Sequence, residues 1–144
     1  MLDFEHSLPM LLLRAREVSM ARFRPILAEH GLTEQQWRVL RALAEDNGLE
    51  AKALAERTLI LKPSMTGIID RLVRDDLVER KSDQQDGRKS CIWLTRKARR
   101  LYERIMPTVE KEYDRMREEI SEKQWQALYN SLSNVIKLDA ETGV

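Results

Sequence analysis

The chain has 144 residues, 42% of them hydrophobic and 34% charged, with a formal net charge of +1. That length supports one small core, no apolar run approaches the roughly 20 residues of a membrane span, and the short stretch Leu11 to Leu13 runs straight into arginine and cannot serve as a leader. A single cysteine excludes an internal disulfide and any cysteine-rich metal centre, so a cytoplasmic chain with no metal and no cofactor is expected.

A near-neutral total says nothing about nucleic acid, and the placement of the charges decides. The first predicted helix covers about 5 to 29. Its apolar stripe is Leu8, Leu12, Ala15, Phe23 and Ile26, bordered by Arg14, Arg16, Ser19 and Arg22. His6 and His30 stand near the helix ends, where a cap or surface position is the ordinary reading. The second helix, about 33 to 46, opens on Thr33 with Gln36 three residues later, a capping-box pattern, and carries Trp37, Arg38 and Arg41. An arginine beside apolar and aromatic walls suits an aromatic carboxylate, since its planar fork takes the carboxylate while the ring is desolvated. The same arginines could instead form interhelical salt bridges. Arg16, Arg14, Ser19, Met20, Phe23 and Trp37 are the candidate ligand-binding residues.

A third helix, Glu50 to Arg57, has Leu54 among alanines small enough for close packing. The turn Thr58 to Leu61 follows. Lys62-Pro63-Ser64 then opens a fourth helix, because proline lacks only an N–H that the first turn leaves unpaired anyway. Met65, Ile68, Ile69, Leu72 and Val73 form its buried face. The opposite face is Ser64, Thr66, Gly67, Asp70, Arg71 and Arg74. Small residues at its N-terminal end allow close approach to a major groove, with Arg71 and Arg74 placed for phosphates or base edges. Asp70 and Arg74 have the i, i+4 spacing of a helical ion pair.

Two strands are expected next, Val78 to Lys81 and Cys91 to Leu94, joined by a loop with Asp86-Gly87 at its tip. Such a hairpin can lay Arg88 and Lys89 into a minor groove, with Asp86 bracing Arg88 and with Arg80 and Lys81 on the outgoing strand. Residues 49 to 95 thus have the layout of a winged helix-turn-helix, and Lys62, Pro63, Ser64, Thr66, Gly67, Arg71, Arg74, Arg80, Asp86, Arg88 and Lys89 are its candidate DNA-binding residues. Cys91, on a strand, is read as a packing residue.

Helices at about 96 to 118 and 121 to 139 complete the chain, with Thr95 and Ser121 as N-caps. Leu101, Ile105, Val109, Tyr113, Met116 and Ile120 recur at helical spacing, as do Trp125, Leu128, Leu132, Val135 and Ile136. A winged lobe of this size cannot cover two such stripes. A two-fold homodimer would bury them, as would an intrachain hairpin. The fold class expected is mainly α with a small β-hairpin wing: a winged helix-turn-helix lobe at 33–95, with dimerisation helices at 1–30 and 96–144.

The wing element Asp86-Gly87-Arg88 on this framework resembles the MarR family of bacterial regulators, although Gln84 and Gln85 stand where many members have further arginines. The flanking segments Leu11 to Glu17, Leu32 to Leu40 and Leu61 to Ser64 are similar to the branch of that family that represses homoprotocatechuate catabolism. The resemblance covers practically the whole chain. It implies a dimeric repressor on a double-stranded operator, released by a small aromatic carboxylate such as 4-hydroxyphenylacetate or 3,4-dihydroxyphenylacetate, with Arg16 and then Arg14 as the carboxylate-binding groups. Redox-sensing members keep their cysteine in the first helix, where this chain has none. Neither a glycine-rich phosphate loop nor a nucleophile beside a base is present, so catalysis is not expected. The alternative within the family is a regulator of another phenolic, salicylate-like or antibiotic ligand, and the competing class is a helical adaptor that binds protein through its C-terminal helices.

Overall fold

A computed structural model describes residues 3–82 and 85–142; the sequence reading at Gln84 therefore lies outside the described residues. Helix α1 (Leu8–Glu29) starts three residues later than expected. Pro9 explains the shift: in a helix begun at residue 5 it would fall where an N–H must be donated, whereas here it occupies the first turn. Helix α2 (Glu34–Glu45) begins on the anticipated capping box, with the Gln36 amide donating to the Thr33 hydroxyl at 3.1 Å and the Thr33 amide donating to Oε1 of Gln36 at 3.0 Å.

A two-residue strand, β1 (Leu49–Glu50), leads into α3 (Ala51–Thr58), the turn, and α4 (Lys62–Arg74). The wing strands are β2 (Val78–Ser82) and β3 (Ser90–Leu94). All three strands form one antiparallel sheet in the order β1-β3-β2, with Leu49 opposite Ile92 and Arg80 opposite the same residue on the other side. The wing is therefore a hairpin with a third strand added. Two residues are too few to show an alternating pattern, which is why β1 was not legible beforehand.

The core beneath the helix-turn-helix is built from Leu27 of α1, Leu40 and Leu43 of α2, Leu54 of α3 and Met65, Ile69 and Leu72 of α4, with Val78 and Ile92 from the sheet. Val73, expected on the buried face, is 37% exposed, because α4 turns its Met65–Ile69–Leu72 line to the core and leaves Val73 at the edge. Helix α4 stops at Asp75. Asp76 then takes a left-handed conformation (φ 59°), and the Leu77 amide returns to the Leu72 carbonyl at 2.8 Å, a closure that satisfies the orphan carbonyls of the last turn. Cys91 is buried on β3, in keeping with a packing role.

Helices α5 (Arg96–Ile120) and α6 (Glu122–Thr142) follow. Thr95 and Ser121 cap them through their hydroxyls, accepting from the amides of Ala98 and Gln124. The chain divides into two compact units between Thr108 and Val109. Within the second, the Trp125 ring meets that of Tyr129 at a tilt and lies under the Arg117 guanidinium, while Leu128, Ile136 and Leu138 are exposed, Ile136 at 72%. In the first, Leu8, Leu11, Leu13 and Val18 of α1 are also exposed. No helix among the described residues is long and apolar enough to cross a membrane.

Candidate nucleic-acid interface

The exposed face of α4 presents Lys62, Pro63, Ser64, Thr66, Asp70, Arg71 and Arg74. Gly67 has a local reason to be glycine: a Cβ there would lie 3.3 Å from Nη2 of Arg71, so the bare backbone lets the guanidinium lie along the helix one turn back. Neither Arg71 nor Lys62 has an acidic partner among the described residues.

Two other candidate DNA-binding cations, Arg74 and Arg80, are engaged by carboxylates. Arg80 of β2 pairs with Asp70 of α4, so the anticipated Asp70–Arg74 pair does not form. The strand brings a guanidinium to Asp70 from outside the helix, and Arg74 turns to Asp75, donating from Nε at 3.0 Å and from Nη2 at 3.3 Å. That hydrogen bond, joined by the charge of Asp75, raises the Arg74 pKa; reciprocally, the bond from Arg74 holds the Asp75 carboxyl below its ordinary value. A carboxylate beside each cation weakens its attraction for phosphate, which shifts the electrostatic role toward Lys62 and Arg71.

At the wing, Asp86 Oδ1 accepts from the Arg88 amide at 3.0 Å and from Arg88 Nε at 3.4 Å, the bracing anticipated from sequence. The Arg88 side chain is 95% exposed. Lys89 approaches Glu50 of β1 at 3.7 Å, and Lys81 sits 6.0 Å above the Trp93 ring. The base of the wing is tied to the segment between α2 and β1 by Asn47, whose Oδ1 accepts from the Leu94 amide at 2.9 Å, and by the Gly48 amide, which donates to the Ile92 carbonyl at 3.0 Å.

A second cluster lies where α1 meets α2. Glu34 Oε2 accepts from Nη2 of Arg16 at 2.7 Å and of Arg38 at 3.1 Å, and Arg24 approaches Oε1 at 3.4 Å. Burial pushes the Glu34 carboxyl up, but the Arg16 hydrogen bond and the charges of Arg16, Arg38 and Arg24 outweigh it, and the net shift is down; Arg16, hydrogen-bonded to Glu34, is raised. Arg38 also donates to the Thr58 carbonyl at 2.9 Å, at the end of α3. The arginine cluster is thus connected by direct contacts to the turn that precedes α4.

Of the predicted ligand residues, Arg16 is in this cluster, Phe23 and Trp37 are buried, and Met20 is partly buried. The Ser19 hydroxyl donates to the Arg16 carbonyl at 2.8 Å, and Arg14 is exposed. Leu8 and Ala15 are exposed and Leu12 and Ile26 partly buried, so Phe23 alone of the expected apolar stripe of α1 is fully buried. Sequence reasoning missed Glu34, although Arg38 at i+4 was a visible signal, and it missed Tyr102, whose ring stacks on Trp37 at 5.4 Å and 23°. His6 pairs with Asp3 at 2.6 Å and His30 is the exposed C-cap of α1, both local roles. No cluster of His, Cys, Asp and Glu among the described residues could hold a metal.

A proline-started helix across a tight turn, backed by a braced basic hairpin, defines a winged helix-turn-helix DNA-binding protein. Residues 30–89 match the model of the MarR family. The homoprotocatechuate degradative operon repressor of Escherichia coli is 42% identical, with 92% of this chain and 89% of that protein aligned, and the transcriptional regulator FarR of Neisseria gonorrhoeae is 38% identical, with 89% and 88% aligned. The crystal structure of NadR in complex with 4-hydroxyphenylacetate superposes with a TM-score of 0.84 at 35% identity, covering 94% of this chain and 99% of NadR. The chain belongs to the MarR family of transcriptional regulators.

Proposed function

We propose that the protein is a two-fold dimeric repressor that holds a pseudo-palindromic operator and releases it on taking up a small aromatic carboxylate, with 4-hydroxyphenylacetate or 3,4-dihydroxyphenylacetate the leading candidates. The observation that carries the DNA part is the solvent face of α4, where Lys62, Ser64, Thr66 and Arg71 are all exposed, together with the exposed Arg88 braced by Asp86 on the wing. Lys62, Ser64, Thr66 and Arg71 approach base edges and phosphates with Pro63 and Gly67 keeping the backbone close. Arg88 enters the minor groove with Asp86 holding it and Lys89 nearby, while Arg74 and Arg80 contribute at the margin.

The lobe at 33–95 reads DNA, and helices within 1–30 and 96–144 dimerise. The exposed leucines of α1, in the first unit, and the exposed Leu128, Ile136 and Leu138 of α6, in the second, are apolar groups that a second copy would cover. Two recognition helices so related read half-sites about 34 Å apart, one helical turn of DNA. The effector reading rests on Arg16, partly exposed in the Glu34 cluster, and on the buried rings of Phe23 and Trp37. It is supported by the relatives, one named for the homoprotocatechuate operon and one crystallised with 4-hydroxyphenylacetate.

Fluorescence anisotropy against promoter fragments next to the protein's own gene, with a panel of phenylacetates, benzoates and cinnamates, tests the whole reading. Release by a phenylacetate supports it, release by another acid keeps the repressor and changes its ligand, and absence of any sequence-selective binding favours a protein-binding adaptor. In the same assay, Arg88→Ala weakens binding and reduces the slope of log affinity against log salt by about 1, the loss of one phosphate-neutralising charge. An unchanged slope removes the wing from the mechanism.

A further inference from the structure

We infer that Leu59 and Leu61, in the turn before α4, read the C5 methyl groups of thymines in the operator half-site. They are the two most exposed large hydrophobic residues among those described, at 87% and 77%, while Ile60 between them is 5% exposed and plugs the core. The anchored Ile60 forces its neighbours outward as a pair. Both occupy positions that other residues fill with less strain. Leu59 caps α3 in the left-handed region (φ 56°, ψ 36°), where glycine or asparagine is the usual choice. Leu61 is the N-cap of α4 and makes no side-chain hydrogen bond there, where serine, threonine or aspartate would satisfy an orphan amide. Neither leucine serves the fold through its side chain, so the apolar groups are suited to something outside it.

Their place selects the partner. Leu61 directly precedes Lys62, Pro63 and Ser64, the end of α4 that faces a major groove, and a shallow groove of about 330 Å³ beside them is lined by Ala55, Glu56, Leu59, Ile60, Leu61 and Lys62. The thymine methyl is the apolar group that a major groove displays, and contact with it discriminates T·A from the other pairs without a hydrogen bond. A lipid surface is a poor match, since two leucines with no aromatic neighbour and an acidic Glu56 lack the broad apolar face of an interfacial helix. The inference rests on the DNA-binding reading above and extends it to two residues that make no polar contact with DNA.

The test begins with selection of bound duplexes from a random-sequence pool by the full-length protein, followed by replacement of each recurrent thymine with deoxyuridine, which lacks the methyl and pairs identically. At one or two thymines per half-site, deoxyuridine should weaken wild-type binding about fourfold per methyl, the factor matching the ~0.8 kcal/mol of one buried methyl-sized group. The double variant Leu59→Ser, Leu61→Ser should bind the thymine and deoxyuridine duplexes alike, with a thermal melt no lower than that of the wild type showing that it is folded. Enriched sequences with no methyl-sensitive thymine, or methyl sensitivity that persists in the double variant, would overturn the inference and leave the DNA-binding reading standing. Failure to enrich any sequence would remove that reading, and this inference with it.

Discussion

Gly48→Ala should destabilise the chain by about 2 to 5 kcal/mol, the sum of roughly 1 to 2 for a left-handed residue with a Cβ and 1 to 3 for an overpacked contact. Gly48 has φ +81°, and a Cβ built on it lies 2.5 Å from Cζ2, 2.7 Å from Cη2 and 2.8 Å from Cε2 of Trp93. The Trp93 ring is partly exposed and can swing aside, but it then leaves its place beneath the Lys81 ammonium. Backbone movement instead would pull the Gly48 amide from the Ile92 carbonyl and the Asn47 side chain from the Leu94 amide, two hydrogen bonds that hold the segment after α2 to the wing. Urea unfolding of the single variants and of Gly48→Ala/Trp93→Ala separates the terms. Removing the ring should recover the packing part and leave the backbone part, a coupling that a double-mutant cycle reads directly. Wild-type stability in Gly48→Ala would show that the close approach does not matter.

Glu34→Gln should have two effects of opposite benefit. Stability at neutral pH falls by about 1 to 2 kcal/mol, the low end for hydrogen bonds to a charged group because the three arginines are partly exposed. On the proposed effector reading, affinity for a phenylacetate rises about tenfold, equivalent to 1.4 kcal/mol, because a carboxylate entering at Arg16 would no longer have to displace that of Glu34. Arg16→Gln should abolish acid binding in the same calorimetric titration. Acid affinity that is equal in Glu34→Gln and wild type would mean that Arg16 does not hold the ligand carboxylate.

The pH dependence follows from the lowered Glu34 pKa. A carboxyl depressed in the folded state contributes stability that is fully present above its ordinary value, 4.5, and is lost as pH falls from there through the depressed value. The melting temperature of the wild type should therefore decline through that acid window more steeply than that of Glu34→Gln. Equal slopes would show that the arginine cluster adds nothing to the fold.

Much of this architecture was legible before any coordinates. Proline at the start of α4 with its Met65-to-Leu72 stripe, the Thr33–Gln36 capping box, the Asp86-Gly87 tip and the Thr95 cap are each encoded within a few consecutive residues, because turns, caps and helical faces depend on local backbone geometry. The Asp86–Arg88 brace was legible for the same reason, since its partners are two residues apart. The DNA-facing candidates followed as the face left over once the buried stripe was assigned.

Partner choice was not local. Asp70 had a helical neighbour at i+4, yet it pairs with Arg80, ten residues on, and Glu34 gathers Arg16 and Arg24 from a different helix as well as its own i+4 Arg38. The two-residue β1 exists because β3 is beside it, and the need for glycine at 48 arises from Trp93, 45 positions away along the chain. The sequence by itself determined which faces of each element are apolar, basic or small, since these follow from periods of two and 3.6 residues. Tertiary structure alone decided which charges neutralise one another and which, like Lys62 and Arg71, have no acidic partner among the described residues. An ion pair forms only where packing brings two long side chains within about 4 Å, and sequence spacing carries no record of that distance.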